Sequence, residues 1–475
     1  MQAGDNLVSA PSNLNMKHII GWSTGGLATA VYLGITMNYF LYFLTEGAAI
    51  SPALASLVLL APRLWDVITD PVMGAISDRT KSSMGRRRPW ILFGGLLFAA
   101  SFYMMFAIPD LESEMARGMW VMFFYLLVGT AYTMYEVPLN AMLPELSQNF
   151  HERGRLASYM MIAIRAGLIV TMLIGPFVFA GAESLASGFR QVGLFAAIVI
   201  AGSSLVVFFT TSDAPRTEYR PARLNILSEL KALWQNKPFL VLVLVHLVKM
   251  TGVGAAATAV IYYLVFVFKA PEQAAGVILS TTAATATLFI PIWMWAMSRF
   301  GKKSAYSCSL VFLSLSMLCL LFIGPQTISG SYNIPYVEEM VSGGVLAVAI
   351  AMIIISFGDS GAILIPNGMI PDTVEADELR TGTRREGTIL GAWAFARKLG
   401  MALGAYAITL SMSLAGFVEG ATEQTEAAVE GIRYAYVLVP TVCYLLSLLI
   451  LQRYDLTEKR FNDIVSDLAD RNAGE

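Results

Sequence analysis

Two aspartates four residues apart stand in an otherwise apolar stretch, WDVITDPVMGAISDRTKSSMGRRRPW, from Trp65 to Trp90. On a helix Asp66 and Asp70 share one face about one turn apart, and Arg63 lies near that face three residues before the first of them. A charge at the centre of a membrane helix costs roughly 2.5–3.5 kcal/mol on insertion scales, so both acids should face inward. One reading is a salt-bridge cluster with Arg63 and Arg165 that locks helices together. The sharper reading is a cation site, because a small hard ion such as Na⁺ needs several oxygen ligands and a carboxylate pair brings both oxygens and charge. Pro71 lacks an N–H and leaves the Val67 carbonyl without its helical partner. Thr69, and Thr133 from the stretch AYTMYEVPLNAMLPE, add neutral oxygens. Glu136 in that second stretch is a further acid, and three neighbouring acids let protons compete with metal ions, so H⁺ and Li⁺ stay open beside Na⁺.

Such acids need membrane-spanning elements to hold them. The 475 residues are 56% hydrophobic and only 14% charged, with a mean hydropathy of +0.62, which is too apolar for a soluble globular protein. A hydrocarbon core of roughly 30 Å takes about 20 apolar residues of helix. Twelve such runs are predicted, at 19–45, 52–77, 90–109, 118–143, 156–182, 190–212, 238–268, 273–297, 304–324, 341–366, 388–416 and 431–452. These runs are longer than barrel strands, and helices satisfy their own backbone hydrogen bonds in lipid. The expected fold class is an all-α polytopic membrane protein of twelve transmembrane helices. The first run has no small-residue cleavage site and is kept as mature structure.

The net charge of −2 hides an asymmetry. Alternate loops collect Lys17, Arg79, Lys81, Arg86 to Arg88, Arg153, Arg155, Arg216, Lys237, Lys302, Lys303, Arg384 and Arg385, whereas the others hold Arg117, Arg190, Lys269 and Arg433. The positive-inside bias then puts both termini in the cytoplasm, in a multi-pass protein of the plasma (inner) membrane. The basic loops set topology and do not point to nucleic acid. Membrane lipids are the expected surroundings, and a monomer the expected functional unit.

The longest polar interruption, Thr210 to Pro238, separates six spans from six. The expected organisation is an N-terminal six-helix bundle over 1–212, a linker over 213–237 with a short amphipathic helix at Asn225–Trp234, a C-terminal bundle over 238–453 and a tail over 454–475. SDRTKSSMGRRRP after span two is echoed by SRFGKKS after span eight, which suggests duplication and a substrate site between pseudo-symmetric halves.

Other charges fall inside apolar runs. Arg165 and Lys398 lie deep and are candidates to contact a polar substrate, whereas His246 and Lys249 are read as snorkelling from an end of span seven. Cys308, Cys319 and Cys443 are read as ordinary buried residues. Tyr132, Tyr135, Trp393 and the series Thr281, Thr282, Thr285 and Thr287 could line a polar pocket or simply pack helices. The three histidines are scattered and TGVGAAA follows no strand, so nothing points to an enzyme or to a cofactor.

With WDxxTDPxxGxxSDRTxxxxGRxRPW in the first half and PDTVEADELRTGTRREGTILGAWAFARKLG, from Pro371 to Gly400, in the second, the sequence resembles the melibiose permease-like family of glycoside-pentoside-hexuronide:cation symporters of the major facilitator superfamily. The resemblance implies two pseudo-symmetric six-helix bundles and cation-coupled symport by alternating access. It implies an ion held by Asp66, Asp70 and Thr133, with Thr69 at an intervening ligand position, and it matches Lys398 to a functional lysine of span eleven. It also implies a gating region containing Asp372, Glu375 and Arg384. The loop residues Asp78, Arg79, Arg86 and Arg88, with Arg63, are expected to brace the inner gate from the first half.

The family's sugar-binding positions fall here at Ala30, Glu136, Asn140 and Ile363, of which only Glu136 keeps acidic character. A sugar or glycoside, anionic sugars included, is the expected substrate. The vertebrate sodium-dependent lysolipid symporters resemble the same family, and a lysophospholipid is the alternative, its acyl chain suited to positions such as Ala30 and Ile363 and its head group to Arg165, Glu136 or Lys398.

Overall fold

The computed structural model describes residues 14–147, 150–214, 234–335, 337, 339–381, 386–419, 421 and 423–456, with 460, 461, 463, 464 and 466 of the tail. Twelve long helical stretches follow one another: α1 Met16–Asn38, α2 Pro52–Arg79, α3 Arg88–Phe106, α4 Glu114–Ala141, α5 Phe150–Ala180, α6 Leu185–Thr210, α7 Lys237–Val267, α8 Glu272–Phe300, α9 Lys302–Phe322, α10 Gly343–Thr381, α11 Glu386–Leu414 and α12 Glu426–Leu451. Among the described residues ten of these are long and apolar enough to cross a membrane by length and composition, and α2 is apolar over Pro52–Pro62. The helices are apolar on most sides because one face packs inward while another meets hydrocarbon. Phe98, Phe102 and Ile200 are buried, whereas Phe93, Ile198 and Phe209 on the same helices α3 and α6 are exposed.

The chain divides into two compact units, Met1–Thr36 with Ala61–Ala222, and Met37–Leu60 with Arg223–Glu475. In the first unit α1 packs on α5 and α6, α3 on α4 and α6, and α5 on α6. In the second, α7 packs on α11 and α12, α9 on α10 and α12, and α11 on α12, the same pattern six elements later.

The repeat is legible residue by residue within the second unit, which includes Met37–Leu60. Phe43–Gly47 and Tyr263–Val267 are both π-helical turns. Ala49 at φ 48° and Lys269 at φ 53° follow them in the left-handed region. The bonds from Ile50 N to Leu44 O and from Ala270 N to Leu264 O close both turns at 2.8 and 3.0 Å. Each pair is separated by 220 residues, as 263 − 43, 269 − 49 and 270 − 50 show. So are Tyr42 and Tyr262, which meet edge to face with ring centroids 5.6 Å apart. The Tyr42 hydroxyl donates to Glu272 Oε1 at 2.7 Å, and Thr45 and Tyr262 share a hydrogen bond of 2.7 Å.

Small residues let helices of the second unit approach closely. A Cβ on Gly404 of α11 would lie 2.1 Å from the Thr251 carbonyl oxygen of α7, so no side chain fits there. The stretch TGVGAAA is thus helix packing, as the sequence predicts.

Two expectations are corrected. Lys249 and His246 do not snorkel: Lys249 is wholly buried and His246 is 3% exposed, because they sit well inside a helix of 31 residues. Cys308 and Cys319 on α9 are exposed, not buried, and Cys443 is half-buried, all three being free thiols. In a spanning helix apolar residues face both lipid and core, so hydrophobicity alone does not report burial. The expected linker helix at Asn225–Trp234 lies almost wholly outside the described residues, as does most of the tail.

Candidate functional site

Asp66 and Asp70 meet α4 through a register that advances four residues on each helix. A Cβ on Gly129 would lie 3.2 Å from Asp66 Oδ1, Thr133 Oγ1 donates to Asp70 Oδ1 at 2.7 Å, and a Cβ on Gly74 would touch Val137 at 3.9 Å. One turn of helix spans about 3.6 residues, so steps of four keep one face of each helix in contact. Trp65 Nε1 donates to Thr130 Oγ1 at 2.9 Å and pins the two helices beside the acids. Asp66 is 2% exposed and Asp70 is half-buried. A charged acceptor bonded to a hydroxyl is among the stronger hydrogen bonds, and here it also fixes where a neutral oxygen stands beside a carboxylate. Thr69 Oγ1 turns back to the Trp65 carbonyl at 3.3 Å. The Arg63 side chain lies outside those described.

Glu136, two positions before Pro138 within α4, is occupied by other partners. Thr29 Oγ1 of α1 donates to its Oε2 at 2.7 Å and Asn140 Nδ2 donates to its Oε1 at 3.0 Å. Among the described residues no three acid, histidine or cysteine side chains converge as a metal site. Asp66 and Asp70 are thus a pair with hydroxyl neighbours, while half-buried Glu136 and exposed Asn140 present a carboxylate beside an amide.

The remaining candidates of the first unit divide by burial. Tyr135 is fully buried, its hydroxyl 3.2 Å from the Gly25 carbonyl oxygen and 3.2 Å from Ser203 Oγ, so it binds α1, α4 and α6 to one another. Ala30 is buried against Gly167 of α5, where a Cβ would lie 2.6 Å from the Ala30 methyl. Tyr132 packs on Tyr32 at 4.4 Å between centroids. Arg165 is half-buried on α5 and makes no ion pair with a described residue.

In the second unit Trp393 is 7% exposed, its ring stacked on His246 with centroids 3.5 Å apart. Ile363 and Lys398 are half-buried on α10 and α11. The hydroxyls of Thr281, Thr282, Thr285 and Thr287 bond back to carbonyls four residues earlier in α8, and Thr285 also meets Ser356 Oγ at 3.0 Å. They are satisfied by their own helix, Thr285 also by Ser356 of α10.

The basic loop after α2 converges on one arginine that the sequence reading passed over. Arg87 donates to Glu145 at 3.0 Å and to Ser77 at 2.5 Å, and pairs with Asp78, while Arg86 reaches the same Glu145 oxygen at 2.5 Å. Arg88 donates to the Phe208 and Met84 carbonyls and covers the Phe208 ring at 4.3 Å. Arg79 is exposed. In the second unit Lys302 grips both oxygens of Asp372 at 2.7 Å, the echo of this brace. Glu375 is half-buried on α10, and Arg384 lies outside the described residues. In a run of three arginines the sequence does not say which side chain gathers Ser77, Asp78 and Glu145. Gly129, which makes room for Asp66, was also missed, because a glycine in a spanning helix is too common to signal a site.

The isoprimeverose transporter of Lactiplantibacillus pentosus is 24% identical over 98% of this chain and 95% of its own length. The sodium-dependent lysophosphatidylcholine symporter 1-A of Danio rerio is 25% identical over 90% of this chain and 83% of its own. The crystal structure of a D-xylose-proton symporter superposes with a TM-score of 0.65 at 15% identity, covering 93% of this chain and 97% of that one, which shows a shared fold. From residue 21 to residue 458 the sequence matches the model of the MFS/sugar transport protein family, and the chain belongs to that family of multi-pass membrane transporters.

Proposed function

We infer that this protein is a symporter that couples inward movement of Na⁺ to uptake of a sugar or glycoside. The observation that carries the reading is the Thr133 bond to Asp70, with Asp66 buried one turn away against Gly129. Two carboxylates beside neutral oxygens suit a hard monovalent ion, and one charge moving down a membrane potential releases roughly 2.3 kcal/mol per 100 mV. Asp66, Asp70, Thr69 and Thr133 hold the ion. Glu136 and Asn140 meet substrate hydroxyls, since a carboxylate beside an amide offers both acceptors and donors. The chain works as a monomer in the inner membrane with both termini cytoplasmic. The braces at Arg87 and Lys302 serve the inner gate together with Asp372 and Glu375.

A lysophospholipid is the second reading. It is favoured by apolar, half-buried Ile363 at a position where the family resemblance puts a sugar-recognition group, and by the likeness to the Danio rerio symporter. Uptake into proteoliposomes under an inward Na⁺ gradient decides between them, with labelled glycosides including isoprimeverose and a glucuronide set against labelled lysophosphatidylcholine. Accumulation of a glycoside, lost in Asp66→Asn and Asp70→Asn, is the expected result. Accumulation of the lysolipid alone replaces the substrate class, and Na⁺-stimulated uptake that survives in both variants removes the ion site. Replacing the Na⁺ gradient by a Li⁺ or H⁺ gradient identifies the ion.

A further inference from the structure

A second polar cluster lies inside the second unit. Lys249 has no exposed surface and His246, one turn earlier on α7, is 3% exposed. Both His246 ring nitrogens are buried without a hydrogen-bond partner, and the hydrogen-bond contact of the Lys249 ammonium is the Met250 sulfur at 4.0 Å. Asp359 of α10 lies within electrostatic reach of Lys249 and of the Tyr444 hydroxyl. From α11, Arg397 acts on His246, with Lys398 next in sequence, and Trp393 covers the imidazole face. From α12, Cys443 and Tyr444 line the same stretch, where Gly252 lies against both. Tyr42 and Tyr262 belong to the far end, thirteen residues or about 20 Å further along α7.

We propose that Lys249, Asp359 and His246 form a proton-binding site of the second unit, separate from the cation site on α2 and α4. An ammonium in mid-membrane is costly, so a lysine there whose hydrogen-bond contact is a thioether calls for a chemical reason. Packing is not that reason. The repeat places Thr29 at the corresponding position (249 − 220 = 29), where a hydroxyl suffices to bond Glu136 at 2.7 Å. No surface of Lys249 is open to a sugar oxygen or a metal ion, whereas a proton needs no volume. Lys249 as ammonium and Asp359 as carboxylate balance in charge across the cluster. Loss of the Lys249 proton leaves a neutral amine within electrostatic reach of the Asp359 charge and removes its repulsion of His246, whose ring nitrogens, one turn nearer the Lys237 end of α7, are then the site that takes up the proton.

Trp393, stacked on His246, reports on this charge. Its emission is taken as the difference between wild type and Trp393→Phe, with the full chain in lipid nanodiscs titrated from about pH 5 to 10. The expected result is a reversible step whose midpoint moves by about one pH unit or more in Asp359→Asn and which vanishes in Lys249→Met. An unchanging signal in wild type shows a permanently charged structural pair and overturns the proposal, as does a midpoint that Asp359→Asn leaves in place. If Lys249→Met does not fold, wild type and Asp359→Asn still decide. Asp70→Asn retains the step, so failure of Na⁺ coupling in that variant bears on the α2 site and not on this one.

Discussion

Gly129 stands so close to Asp66 that a Cβ on it would lie 3.2 Å from the carboxylate oxygen. At that distance the neighbour must give by a few tenths of an ångström, and the neighbour is the proposed ion ligand Asp66. Gly129→Val should therefore displace Asp66, raising the Na⁺ concentration for half-maximal uptake about tenfold, which corresponds to about 1.4 kcal/mol. Gly129→Ala should fall between. The Na⁺ dependence of uptake in proteoliposomes measures both.

Thr133→Val keeps the side-chain shape and removes the hydroxyl that donates to Asp70 at 2.7 Å. A hydrogen bond to a charged group is worth about 1.5–3 kcal/mol, so ion activation should weaken by about tenfold or more, and Thr133→Ser should restore it. Equal Na⁺ dependence in wild type and Thr133→Val would show that the ion does not use this oxygen.

Arg87 is 5% exposed and serves Ser77, Asp78 and Glu145 together, whereas Arg79 is exposed. Arg87→Ala should cost about 1–3 kcal/mol, because Glu145 and Asp78 lose a shared donor. Arg79→Ala should stay within about 0.5 kcal/mol of wild type. Thermal unfolding followed by tryptophan fluorescence compares them, and similar losses would remove the distinction.

The Lys17 ammonium, which donates to Asp213 at 3.1 Å, pulls that carboxyl down from 3.8 to about 2, with His18 beside it. A depressed folded-state value means stability that is present above about pH 4 and is lost as pH falls toward 2. Because Asp213 is exposed, the effect should be small and should shrink with salt. Asp213→Asn should flatten the acid limb of an unfolding midpoint plotted against pH in low salt, and an unaltered limb would assign it to other carboxylates.

Tyr42→Phe keeps the ring that packs on Tyr262 and loses the bond to Glu272. Amide hydrogen exchange across Phe43–Ile50 should then accelerate about fivefold, equivalent to about 1 kcal/mol of local protection. An unchanged exchange rate would mean that the π-turn is held without that bond.

The sequence by itself determined the class of the molecule. Long apolar runs must become helices in lipid, and the spacing of Asp66 and Asp70 puts both on one face whatever surrounds them. The echo of SDRTKSSMGRRRP in SRFGKKS foretold a repeat that the π-turns at Phe43–Gly47 and Tyr263–Val267 display at an interval of 220 residues. Tertiary structure alone decided which face of each helix meets a neighbour. Apolar residues fill both the lipid and the core side of a spanning helix, so composition could not tell exposed Cys308 from buried Lys249, nor Arg87, bonded to Ser77, Asp78 and Glu145, from Arg88 beside it, bonded to the Phe208 carbonyl. It also gave Glu136 to Thr29 and Asn140 and left the acids of α2 as a pair. That choice depends on the register of α2 against α4 and of α1 against α4, contacts between residues 63 and 107 positions apart that no local pattern encodes.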